Sequence, residues 1–234
     1  MRFTHMPFVF DFKGKSFLAG CSCEGTQTID LVGVESFDLY PWKLFLKDLE
    51  SDQIVCFSEM PFVVECSPIY MDGYLSFAAG ENQEDDISYG IYQIPLTDFI
   101  QQKTENIVRR LDAKVGFYFP GTYAKVVKHK NFFINDVLYA SPYRFIYRIA
   151  PVQENIYLIT GMREGTYETV VFDADKGHAS LAILNEERVD VYKSCIYKNE
   201  LFYTMKLPAK TGSVIQRTTR FHYKPVDITF TKLC

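Results

Sequence analysis

The chain has 234 residues, of which 47% are hydrophobic, 23% charged and 16% aromatic, a composition that excludes an intrinsically disordered polypeptide and suffices for a sizeable core. Lys and Arg number 25 against 29 Asp and Glu, a formal net charge of -4, and this argues against a general nucleic-acid binder, which needs a basic field. The longest apolar runs, such as Met60 to Val64, fall far short of the roughly 20 residues of a membrane span, and Met1-Arg2-Phe3-Thr4-His5 leads into no apolar signal segment. The expectation is therefore a cytoplasmic or otherwise intracellular protein, with neither membrane nor nucleic acid as partner.

In chain order, short runs rich in Val, Ile, Thr, Tyr and Phe recur between Gly, Asn, Asp and Pro, the pattern of an all-β protein. Phe8 to Phe12 is strand-like. A first pair of strands is read at Phe12 to Gly20 and Thr26 to Val32, after which Pro41 to Leu49 predicts a short helix. A second pair, Ser67 to Phe77 and Ser88 to Ile94, is joined by the acidic run Glu81-Asn82-Gln83-Glu84-Asp85-Asp86, which reads as a solvated hairpin tip. Leu96 to Lys103 predicts a second helix with Thr97 as its N-cap. Between Gly116 and Pro142 several short strand signals crowd together and fit no regular spacing.

From Arg144 onward the pattern is clearest. Arg144 to Ile149, Asn155 to Thr160, Thr166 to Phe172 and His178 to Leu184 predict a four-strand meander, with turns at Gly161-Met162-Arg163-Glu164-Gly165 and Asp173-Ala174-Asp175-Lys176-Gly177. Val189 to Ile196, Leu201 to Met205, Val214 to Phe221 and Asp227 to Thr231 repeat it at a period of about 44 residues, the spacing of β-propeller blades. A blade cannot bury both faces alone and must stack on neighbours, so the repeat predicts a single domain over residues 1–234, an all-β propeller of four or five blades. The alternative is an irregular β-sandwich. The strand-like ends, Phe8 to Phe12 and Asp227 to Leu233, are expected to lie in the same or adjacent blades, because an open ring leaves an edge unpaired.

Six cysteines stand at 21, 23, 56, 66, 195 and 234. In a reducing compartment they are expected to be free thiols, mostly buried. Cys21-Ser22-Cys23 would put two thiols on one face of a strand, but a zinc site needs two such pairs and no Cys-x-x-Cys occurs. Asp173-Ala174-Asp175-Lys176-Gly177 has the alternating carboxylates and terminal glycine of a calcium loop, which makes Asp173 and Asp175 the metal candidates. The segment lacks the third acidic residue and distal Glu of an EF-hand, and a plain turn accounts for the same residues. The basic residues at Lys125, Lys128, His129 and Lys130, and at Arg217 and Arg220, read as solvated faces. No nucleophile elbow, Walker loop or dinucleotide fingerprint occurs, and no cofactor is implied.

Glu65-Cys66-Ser67-Pro68, followed by Asp72-Gly73-Tyr74-Leu75-Ser76-Phe77 and Tyr89-Gly90-Ile91-Tyr92, resembles a stretch of the invertase-like five-bladed propeller glycosidases. The resemblance covers about thirty residues. It implies Glu65 as acid/base and Asp11 as the nucleophile position, since glycoside hydrolysis needs two neighbouring carboxylates. Asp11 lies in Phe10-Asp11-Phe12 without the family's Asn-Asp-Pro-Asn setting, and the family's Arg-Asp-Pro has no counterpart before Glu65. The sequence reading is accordingly a non-enzymatic β-propeller, a binding or structural module with protein partners in a larger assembly such as a virus particle or phage tail. The alternative is a carbohydrate-directed propeller, lectin or hydrolase, with a glycan as partner.

Overall fold

The computed structural model describes residues 2–24, 27–29, 37–39, 43–57, 68–83, 86–112, 125–127, 131–134, 137–185, 192–207 and 212–233. The protein is all-β, built from several antiparallel sheets, none of them closed. It forms two compact units, the first made of Met1–Lys114 with Lys206–Val214, the second of Val115–Met205 with Ile215–Cys234.

In the first unit, β1 (Arg2–Phe12) and β2 (Lys15–Glu24) form a hairpin through Lys13 and Gly14, both at positive φ. Such φ values match a tight turn to the twist of the strands it joins. After the short pair β3 (Gln27–Ile29) and β4 (Phe37–Leu39), β5 (Lys43–Asp48) lies beside β2, and β6 (Ile54–Phe57) beside β5. The helix expected at Pro41 to Leu49 is thus a strand over Lys43–Asp48, with Leu49 in the turn that follows. Leu44, Phe45 and Leu46 are buried in succession, because a strand flanked on both sides and covered on both faces needs no alternation. A short continuous apolar run is the pattern that periodicity cannot assign.

The next sheet is a four-stranded antiparallel meander of β7 (Ile69–Met71), β8 (Tyr74–Gln83), β9 (Asp86–Pro95) and β10 (Val108–Asp112). Between its last two strands sits α1 (Leu96–Ile100), at the site of the second expected helix. It buries Leu96 and Phe99, and Pro95 rather than Thr97 occupies the N-cap. The Cys56 thiol donates to the Phe99 carbonyl at 2.8 Å, and burial pushes its pKa up to about 11. Cys21, Cys23 and Cys195 are likewise buried and outside any disulfide; Cys66 and Cys234 lie outside the described residues.

The second unit opens with β11 (Lys125–Val127), β12 (Asn131–Ile134) and β13 (Val137–Ala140). Its centre is the expected meander: β14 (Phe145–Gln153), β15 (Ile156–Arg163), β16 (Thr166–Asp173) and β17 (His178–Asn185). The β15–β16 turn is only Glu164-Gly165, both at positive φ, so Gly161 is a strand residue and not part of the turn. The repeat then departs from expectation. Strands β18 (Tyr192–Tyr197), β19 (Glu200–Lys206) and β20 (Gly212–Thr218) follow, but the run from Val214 to Phe221 breaks at Thr219 and Arg220, where the Thr218 hydroxyl accepts the Arg220 backbone N–H. Strand β21 (Phe221–Thr229) pairs with β17, joining the first meander instead of completing its own.

The last strand, β22 (Thr231–Leu233), pairs with β13, whereas β1 pairs with β2 and, through Arg2 and Phe3, in parallel with the start of β20. The two ends of the chain therefore lie in different sheets.

The central sheet of the second unit is buried on both faces. Ala150, Leu158 and Ile183 pack with Leu201 and Tyr203 of β19. From the opposite face Phe172 meets Phe132, Tyr139 and Phe230, its ring centroid 5.7, 5.3 and 4.7 Å from theirs. Side chains alternate across a strand, so neighbours in sequence feed the two layers: Leu158 and Val171 one, Tyr157 and Phe172 the other.

Candidate functional site

The sequence-derived candidates fall at two places. Asp11, in the first unit, sits exposed near the end of β1, opposite Ser16, whose hydroxyl donates to its Oδ1 at 2.8 Å. Its neighbours Phe10 and Phe12 point to the other face of the strand, where Tyr70 stacks on Phe10 at 4.4 Å and meets Phe12 edge-on at 5.9 Å. Glu65, the implied acid/base, lies outside the described residues.

Asp173 and Asp175 occupy the β16–β17 turn of the second unit. Asp173 accepts the Lys176 backbone N–H at 3.1 Å and pairs with the Lys176 ammonium at 2.7 Å. The bond from that ammonium, aided by the backbone N–H groups of Lys176 and Asp175, holds its carboxyl below the usual range. Asp175 accepts from the Asn155 side chain at 3.3 Å. The backbone of the turn is equally committed. Tyr139 donates its hydroxyl to the Ala174 carbonyl at 2.9 Å, Lys232 donates to the Asp175 carbonyl at 3.3 Å, and the Phe230 N–H donates to the Gly177 carbonyl. A calcium loop turns its oxygens inward to one point; these turn outward to β13, to the Asn155 turn and to the C-terminal strand. Among the described residues no group of three His, Cys, Asp or Glu converges as a metal site.

A cluster that the sequence reading passed over lies at the other end of the same hairpin. Tyr143 is fully buried, with its ring over Gly161; a Cβ built on that glycine would come within 2.5–2.9 Å of three ring atoms. Across the ladder from Gly161 stands Glu168, paired with Arg163 at 2.9 Å. Burial, with the Glu168 carboxylate beside it, pushes the Tyr143 phenol far above its ordinary range and keeps it protonated. The ring fills the space that a glycine leaves in a strand and so closes the hairpin end against water. A glycine inside an otherwise apolar strand is the signal that marks such a close approach.

Of the acidic run, Glu81, Asn82 and Gln83 end β8 and Asp86 opens β9, while Glu84 and Asp85 lie outside the described residues. No helix among the described residues is long and apolar enough to cross a membrane. No protein-family model matches the chain, and neither a curated protein nor a solved structure matches it.

Proposed function

We propose that this protein is a non-enzymatic β-propeller-type module, binding or structural in role, that works inside a larger protein assembly such as a virus particle or phage tail. The observation that carries the reading is the central sheet of the second unit, covered on one face by β19 and on the other by β12, β13 and Phe230. Its four consecutive strands, β14 to β17, form a meander buried on both faces, as a propeller blade requires, with β21 added as a fifth strand at its edge, whereas a two-layer sandwich leaves each sheet one solvated face. The candidate turn supports a structural role as well, since Asn155, Tyr139 and Lys232 tie it to its neighbours through the Asp175 carboxylate and the Ala174 and Asp175 carbonyls. The test is the native mass of the protein from its source: a particle well above the 27.1 kDa of one chain supports the reading, and a lone chain overturns it.

A second reading, a carbohydrate-directed module, has one observation in its favour. The half-buried rings of Phe12 and Tyr70 meet, with the Lys13 ammonium 5.2 Å from the Phe12 ring, a mixture of aromatic and polar groups suited to a sugar. Binding on a glycan array that is lost in Tyr70→Ala, with the fold intact, would favour it.

A further inference from the structure

The junction between β20 and β21 is built unlike the described turns of the second unit. Asn155 before β15, Glu164-Gly165 before β16, Gly177 before β17 and Lys198-Asn199 before β19 all turn the chain at positive φ. β20 and β21 are joined by Thr219 and Arg220, and neither has positive φ. From Val214 to Phe221 there is no Gly, Pro, Asn or Asp, and Val214, Ile215, Thr218 and Thr219 are β-branched, so local preference runs to one continuous strand. The chain bends all the same, and the Thr218 hydroxyl holds the bend by accepting the Arg220 backbone N–H at 3.0 Å. Local preference and the folded path disagree here.

Past the junction the chain forms a surface strap. Of residues 221–233, Ile228 and Phe230 are buried, Phe221 and Val226 are half-buried, and the others are exposed. β21 lies along β17, and β22 along β13. Phe230 fits among Phe132, Phe172 and Tyr143, its ring centroid 5.7, 4.7 and 5.9 Å from theirs, and its N–H donates to the Gly177 carbonyl at 2.9 Å. All these partners precede Thr219 in the chain, so the strap of a second copy would meet the same surface and make the same contacts.

We propose that residues 221–233 are exchanged between two copies of this chain. β20 and β21 straighten into one strand, and the strap of each copy seats on β17 and β13 of the other. The contacts of the strap are the same in both forms, so the balance lies between the junction, which gains its preferred extended path, and the entropy of association. Exchange is reciprocal, and a closed dimer is its product. The inference goes beyond the assembly reading and is carried by the junction alone.

The test refolds the full chain from denaturant at high protein concentration and separates the products by size. Expected is a dimer beside the monomer. Inserting Gly-Ser-Gly between Thr219 and Arg220 should abolish the dimer, because a longer junction folds back more easily. Thr218→Val, which removes the hydroxyl that holds the bend and keeps the β-branch, should raise the dimer share at equal concentration. Ala140→Cys with Thr231→Cys places two thiols opposite each other on the β13–β22 ladder. After oxidation, a denaturing non-reducing gel should show two chains joined in the dimer fraction and no such link in the monomer fraction, with the parent chain treated alike as control. If this variant does not melt cooperatively, His178→Cys with Thr229→Cys, opposite each other on the β17–β21 ladder, takes its place. A chain that refolds only to monomer, a dimer that survives the insertion, or a dimer whose engineered cysteines close within one chain overturns the proposal. A purified chain that stays monomeric while its native particle is large ends the exchange and leaves the assembly reading standing; a dimer linked across chains, from a source whose native particle is a lone chain, supports the exchange and ends that reading.

Discussion

The Asp173–Gly177 turn and the Arg217–Lys224 edge look alike in sequence, as polar, charged stretches next to aromatic strands, but the structure uses them in opposite ways. In the turn each carboxylate and most carbonyls are taken up inside the second unit, by Lys176, Asn155, Tyr139 and Lys232. At the edge, the charges of Arg217, Arg220 and Lys224 face solvent. Charge in a sequence becomes a reason for binding only once its internal partners are counted. The turn holds the fold together; the Arg217–Lys224 segment, which spans the end of β20 and the start of β21, adds no ion pair among the described residues.

The largest way to break this contrast is to remove the packing under the turn. Phe172→Ala empties a site ringed by Phe132, Tyr139 and Phe230, and should cost about 3–5 kcal/mol in denaturant unfolding. A loss below about 1 kcal/mol would mean that the central sheet is not covered on this face.

Next in size is Gly161→Ala. The added methyl meets the buried Tyr143 ring, which must move, and the expected destabilisation is about 1–3 kcal/mol. Tyr143→Ala in the same background should relieve part of that cost, a non-additivity that a double-mutant cycle reads.

Smaller again is Asp173→Asn. The folded carboxyl has its pKa below the ordinary value, so its contribution is present above about pH 4 and is lost as pH falls through the folded pKa. The side chain is partly exposed, so the loss should stay below about 1 kcal/mol. Melting temperatures of parent and variant should differ near neutral pH and converge in acid; divergence in acid would reverse the sign.

The smallest effect sharpens the contrast. Arg217→Glu with Arg220→Glu should change stability by no more than about 0.5 kcal/mol, because neither charge has an ion-pair partner among the described residues. A large loss in thermal unfolding would place these arginines among the groups that hold the fold.

The hairpin from Ile156 to Asp173 was readable because its cues agree: strands rich in β-branched and aromatic residues, a glycine at the turn and a period-2 pattern in Thr166 to Asp173. The strand at Lys43–Asp48 was misread as helix, since six mostly apolar residues carry no period and only burial between β2 and β6 decides. The candidate carboxylates were readable as a turn at Asp173 and Asp175, but their partners were not. Asn155 lies 20 residues from the Asp175 carboxylate it holds, and Tyr139 and Lys232 lie 35 and 57 residues from the Ala174 and Asp175 carbonyls they hold, and nothing local announces them.

By itself the sequence determined the all-β class, the central meander and most strand positions, because these follow from side-chain alternation and turn chemistry within a dozen residues. Only the tertiary structure decided that β21 leaves its own repeat for β17, and that β22 ends on β13. It also decided which charges are spent and which remain. Pairing between distant strands is chosen by how many faces can be covered at once, a quantity that belongs to the folded chain and to no segment of it.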